Sequence, residues 1–229
     1  MKYKRQDDYI LNMTTRGDLK KALHDWMDWF VRFMNELVPR RDVPTFQTGL
    51  CLALTGVRRC GKTSMAVQIA KELRVTETTF YFNFEDAVFF AGADVSVIDT
   101  LLSIYQEEYG YSPTLVILDE VHHVDGWERW VRKAADTNSY QVIVTGSSSK
   151  LLSSEIATAI SGRVIENIVW PLSFPEYLAF RKVKPESEGI YLRELDSYLR
   201  WGGFPKVCLM QNENDRIILL KQYLGDIVL

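Results

Sequence analysis

What the chain lacks narrows it first. It has only three cysteines in 229 residues, Cys51, Cys60 and Cys208. They are scattered and form no C-x-x-C pair, which excludes a disulfide framework and a thiolate metal knuckle and points to a reducing cytoplasm. No apolar run approaches the roughly 20 residues that a bilayer-spanning helix needs. The charged opening Met1–Asp8 has no apolar core behind it, so no signal peptide is expected. Charge of one sign is also missing. With 27 basic and 30 acidic residues the net charge is −3, too small a field to commit the chain to nucleic acid. No recognition helix rich in basic residues is visible either, which leaves DNA open as a partner but unsupported by charge. Repeats and low-complexity tracts are absent. What remains is 47% hydrophobic and 25% charged, the composition of a globular chain with one full domain and a smaller appendage.

Against that background one stretch stands out. Gly56-Val57-Arg58-Arg59-Cys60-Gly61-Lys62-Thr63 fits the phosphate-binding template G-x-x-x-x-G-K-[ST]. An apolar run, Leu50–Leu54, precedes it and a helix-like run, Ser64–Leu73, follows, which is the context the motif requires. Gly56 and Gly61 allow the backbone to wrap round an anion. Successive N–H groups and the helix N-terminus supply positive potential. Lys62 can reach the β and γ phosphates, and the Thr63 hydroxyl can take one place on Mg²⁺. The residues expected to contact nucleotide are Gly56, Val57, Arg58, Arg59, Cys60, Gly61, Lys62, Thr63 and Ser64. Arg58 and Arg59 make the loop electropositive, so the Cys60 thiol is expected to have a lowered pKa and to react readily.

The rest alternates strands and helices. Residues 18–38 read as an amphipathic helix with Leu19, Leu23, Trp26, Phe30, Phe33 and Leu37 on one face, capped from Thr14, Thr15 or Asp18. Its apolar surface is wide enough to suggest either packing on its own domain or contact with a partner protein. Strands are expected at Thr79–Phe84, Leu115–Leu118, Gln141–Thr145 and Val164–Val169, with helices at Val95–Tyr109, Trp127–Asp136 and Lys150–Ile160. This order defines a parallel α/β sheet with helices on both sides. From Pro171 onward only helices are expected: one starting at a capping Ser173, then Ile190–Arg200, the turn Trp201–Pro205 and Asp215–Leu229. The expected organisation is an N-terminal helical extension over 1–48, a core over 49–170, and a helical lid with the start of a C-terminal region over 171–229.

Asp119 and Glu120 end the most apolar strand, where ligands bind in open α/β sheets. Asp119 suits a Mg²⁺ ligand and Glu120 a base that activates water on the γ phosphate; taken alone, the pair is equally a helix cap. Ser147 ends the next strand, as a contact to the attacking water or γ phosphate or as one turn serine among several. Arg163 could reach a phosphate of its own or a neighbour's site as a finger, or form a surface salt bridge. The missing Asn-Lys-x-Asp motif argues against GTP, and Arg58 breaks the dinucleotide G-x-G-x-x-G pattern. His122 and His123 invite a zinc reading, but the cysteines lack ligand spacing.

With these residues assembled, the chain resembles a family of prokaryotic ATPases related to the AAA+ proteins. The resemblance rests on Thr55–Thr63, Leu118–Val121, Trp127–Trp130, Val144–Ser149, Ser161–Arg163, Pro171–Tyr177 and Gly202–Pro205. It implies a P-loop NTPase fold with a five-stranded sheet of order 5-1-4-3-2 and a small helical lid, binding ATP with Mg²⁺. It further implies the roles given above for Lys62, Thr63, Asp119, Glu120 and Ser147, and brings Pro205 of the lid toward the adenine. Such proteins usually continue into a further C-terminal domain, so this chain is expected to be a fragment or a truncated form. The expected activity is Mg²⁺-dependent ATP hydrolysis driving a conformational switch or remodelling step, with a partner protein on the N-terminal helix or lid. The alternatives are a nucleotide-stabilised protein-binding module and a small-molecule phosphotransferase. Arg181-Lys182 would serve the latter poorly as a lid.

Overall fold

The computed structural model describes residues 14–45, 49–90, 92–146, 151 and 161–228. Seven strands are present among them: β1 (Cys51–Thr55), β2 (Thr79–Asn83), β3 (Ala93–Asp94), β4 (Leu115–Asp119), β5 (Val124–Asp125), β6 (Gln141–Thr145) and β7 (Val164–Ile168). Five of them form one parallel sheet in the spatial order β2-β4-β6-β1-β7. The numerals depart from the expected 5-1-4-3-2 because β3 and β5, each two residues long, pair with each other in a separate ladder that no periodicity announces. Every residue of β1 and β4 is buried, as a continuous apolar run between two helical layers requires. The edge strand β7 is partly exposed.

Helices α1 (Arg16–Glu36), α2 (Lys62–Glu72), α3 (Ser96–Tyr109) and α4 (Trp127–Thr137) cover the sheet. Thr15 caps α1 in a reciprocal box with Asp18, satisfying donors that the first turn leaves orphaned. The helix expected as an N-terminal extension is part of the body. Leu19, Leu23, Met27 and Phe30 join the same buried cluster as the strands. Tyr81 of β2 is surrounded by the rings of Trp29 at 5.1 Å, Phe30 at 5.6 Å and Trp26 at 5.9 Å. The wide apolar face is therefore largely consumed within the chain; Val31 stays half exposed. The expected helix Lys150–Ile160 lies outside the described residues except for buried Leu151.

The remaining helices are α5 (Phe174–Phe180), α6 (Glu188–Trp201), α7 (Pro205–Leu209) and α8 (Glu213–Val228). They form a C-terminal helical segment, for brevity the lid, around two small cores, Leu172-Tyr177-Cys208 and Trp201-Val207-Leu219-Tyr223. Gly203 lets two lid segments meet: Leu172 donates to its carbonyl at 2.7 Å, and a Cβ there would stand 2.1 Å from the Leu172 carbonyl oxygen. One buried ion pair ties lid to body, with Arg40 reaching both carboxylate oxygens of Glu176 at 2.9 and 3.0 Å. Among the described residues no helix is long and apolar enough to cross a membrane.

Candidate functional site

The site grows from the C-terminal ends of β1, β4 and β6. The loop after β1 turns back on itself through Gly56 at φ 138°, a conformation side chains resist. A Cβ on Gly56 would stand 2.3 Å from the Val169 carbonyl oxygen, so the position has no room for one. Gly61, at φ 104°, caps α2. The N–H groups that the first turn of α2 leaves without helical partners face the loop. Lys62 is buried and folds back, donating from Nζ to the carbonyls of Gly56 at 3.2 Å and Val57 at 3.3 Å. Ser64 continues the first turn, half buried.

Asp119 is fully buried at the tip of β4. Thr63 Oγ1 and the Tyr81 hydroxyl each donate to its Oδ2 at 2.8 Å, Asn83 Nδ2 does so at 3.3 Å, and the Thr145 hydroxyl donates to Oδ1. Burial pushes its carboxyl up from the usual carboxylate value, against the pull of the Thr145, Tyr81 and Thr63 hydroxyls and of Lys62. Glu120 follows in the left-handed region at φ 51°, its N–H bonded to Thr145 Oγ1 at 3.0 Å. Its carboxylate lies 4.0 Å from Lys62 Nζ and 3.4 Å from His122 Nδ1. Burial raises its pKa as well; Lys62 opposes that shift, and Asp119 and Glu85 add to it. Sequence reasoning missed Tyr81, Asn83 and Thr145. Asn83 and Thr145 carried a signal as polar residues ending otherwise apolar strands; Tyr81, in the middle of β2, carried none.

Thr63 and Asp119 thus present two oxygen donors beside the phosphate loop, the set a Mg²⁺ ion uses when it is shared with substrate phosphates. The buried, multiply bonded carboxylate also fits that role, because a cation there would offset its burial cost. The other loop residues point elsewhere. Arg58 pairs with Glu85. Arg59 pairs with Asp226 of α8 at 2.9 Å and lies 4.6 Å from the centre of the Tyr223 ring. Val57 is exposed. Pro205 reaches the loop: a Cβ on Gly61 would lie 4.0 Å from Pro205 Cγ and from Arg40 Nη1.

One expectation is corrected, and of the alternatives held for Arg163 the salt bridge is the one present. Cys60 is completely buried, and burial raises its thiol pKa despite the nearby cations Lys62 and Arg40. Desolvation outweighs the loop's charge, so the lowered pKa expected from Arg58 and Arg59 does not arise. Arg163 stands at the start of β7, where its carbonyl accepts from the N–H of Cys51, the first residue of β1. That is the N-terminal end of the strands, opposite the end that carries the phosphate loop, and its guanidinium is engaged by Asp136 at 2.5 Å. Ser147 lies outside the described residues.

A glycine loop between a parallel strand and a helix, with Lys62, Thr63 and Asp119 converging at its mouth, defines a P-loop nucleotide-binding protein. A family model described as an AAA domain matches residues 49–178. The chain belongs to this AAA family of P-loop ATPases. An uncharacterized protein of Methanocaldococcus jannaschii is 36% identical over 179 residues, covering 75% of this chain and 39% of that protein. An uncharacterized protein of Haemophilus influenzae is 30% identical over 193 residues, covering 82% of this chain and 46% of that protein. The chain therefore spans less than half the length of these curated relatives. Among solved structures, the Saccharomyces cerevisiae Hsp104-ADP complex aligns over 83% of this chain and 31% of that one, at 16% identity and a TM-score of 0.49.

Proposed function

We propose that the chain binds ATP with Mg²⁺, hydrolyses it, and couples turnover to movement of the lid. The observation that carries this reading is the 2.8 Å contact between Thr63 and Asp119 at the mouth of the loop that Lys62 crosses. Lys62 would leave its two carbonyls for the β and γ phosphate oxygens, and Thr63 and Asp119 would hold Mg²⁺, which supplies charge neutralisation on the phosphates. Glu120 takes a proton from water as the water oxygen attacks the γ phosphorus, and ADP departs with the electrons of the broken P–O bond. Because Arg163 faces away from the loop of its own chain, a finger role for it belongs to a neighbouring copy's site.

The test is single-turnover hydrolysis with binding measured separately. Glu120→Gln should keep ATP affinity and lose about 10²- to 10⁴-fold in turnover, whereas Lys62→Ala should abolish binding in calorimetry. Unchanged turnover in the first variant would remove the base assignment; micromolar affinity in the second would remove the site. Wild-type protein that gains thermal stability with ATP yet never turns it over would instead be a nucleotide-stabilised binding module.

A further inference from the structure

The lid carries a second concavity, away from the phosphate loop. It is a groove of about 620 Å³ open to solvent, bounded by α5, the loop after it and the start of α6, with Arg41 from the body closing one side. That volume matches sites that take a few apolar side chains. Its floor is apolar, with Phe174, Leu178 and Val183, and its rim carries Arg41, Lys182 and Lys184, with no acidic residue in the lining. The contrast with the sequence neighbours is informative. Arg40 and Arg181 are matched to Glu176 and Glu194, while among the described residues no carboxylate pairs with Arg41, Lys182 or Lys184. Lys182 alone would be explained by the C-terminal end of α5, where a cation is favoured. Lys184 stands further along the loop and Arg41 comes from another element, so helix polarity accounts for neither.

We propose that this groove binds an extended acidic segment of a partner protein, with a large apolar side chain on the Leu178-Val183 floor and carboxylates on the Arg41, Lys182 and Lys184 rim. An uncompensated cationic rim over an apolar floor selects for that combination and against basic sequences. The site does not rest on nucleotide binding, so the two readings fail independently.

The test is selection of phage-displayed random dodecapeptides on the full chain, followed by fluorescence anisotropy of the best enriched peptide. Enriched sequences should place Asp or Glu around Leu or Phe, and binding should weaken as salt rises. The surface variant Lys182→Glu/Lys184→Glu should keep its thermal midpoint and bind about tenfold or more weakly, a loss of about 1.4 kcal/mol or more. Leu178→Asp should also lose binding, but because it risks unfolding the lid, the rim variant decides. No enrichment over a control protein, enrichment of basic peptides, or equal binding by the rim variant would overturn the proposal.

Discussion

The guanidinium of Arg59 lies 4.6 Å from the centre of the Tyr223 ring, a contact that joins the phosphate loop to the last helix of the lid. Asp226 completes it at 2.9 Å, with both charged groups more than 30% exposed. An ion pair so open to water is worth about 0.2 to 1 kcal/mol. Asp226→Asn should therefore leave the global unfolding midpoint nearly unchanged while raising amide hydrogen exchange along α8. Tyr223, buried in the lid core, should cost about 3 kcal/mol or more when changed to Ala. Exchange in α8 that is identical in wild type and Asp226→Asn would show that the pair does not hold the helix.

Buried thiols should resist modification. All three cysteines are buried, and burial pushes the Cys51 and Cys208 thiols up as it does Cys60, that of Cys208 to about 11. Since the thiolate is the reactive form, labelling of native protein at pH 8 should be far slower than of urea-unfolded protein. Peptide mapping that found Cys60 modified rapidly in the native state would contradict the geometry.

Gly203→Ala should unseat the lid. The new methyl would stand 2.1 Å from the Leu172 carbonyl oxygen, a clash with backbone that cannot rotate away. The expected cost is about 2 kcal/mol or more, read as faster proteolysis after Pro171 with the body still folded. A variant with wild-type protease resistance would mean that the two segments part easily.

Acid should loosen the same region through Glu176. Burial would raise its carboxyl, but the bonds from Arg40 and Ser173 prevail and hold it down at about 2. A depressed folded pKa means the pair stabilises fully above the ordinary value of 4.5 and loses that contribution as pH falls toward 2. Urea unfolding should show wild type losing stability between those limits, and Glu176→Gln should lose less. At neutral pH, Arg40→Ala leaves a buried carboxylate unpaired, at about 3 to 5 kcal/mol. A flat acid limb in wild type would refute the pairing.

Local chemistry was legible in the sequence. The glycine loop, the Asp119-Glu120 tip, the capping serine of α5 and the alternation of strands are all set by residues close together in the chain. What was not legible depends on distant segments meeting. Tyr81, Asn83 and Thr145 reach Asp119 only once β2, β4 and β6 lie side by side. Arg40 and Glu176 are 136 residues apart. Nothing near Arg59 in the chain names Asp226 as its partner. The placement of Arg163 is recoverable from sequence, since a residue opening a parallel strand lies at the end away from the strand tips that build the site. For the Cys60 thiol, the charges nearby in the chain say nothing about the water lost on burial, which decides its pKa.

Among the described residues two ion pairs join lid to body, and they differ in a way that sets an order of events. Arg40 and Glu176 are both more than 90% buried, so breaking the pair leaves a charge unpaired in a poorly solvated place, and α5 is the tighter anchor. Arg59 and Asp226 are already wet and part at little cost. The lid movement proposed above should therefore begin at α8 and turn about α5. The largest stroke then falls in α8, the helix that Arg59 joins to the phosphate loop.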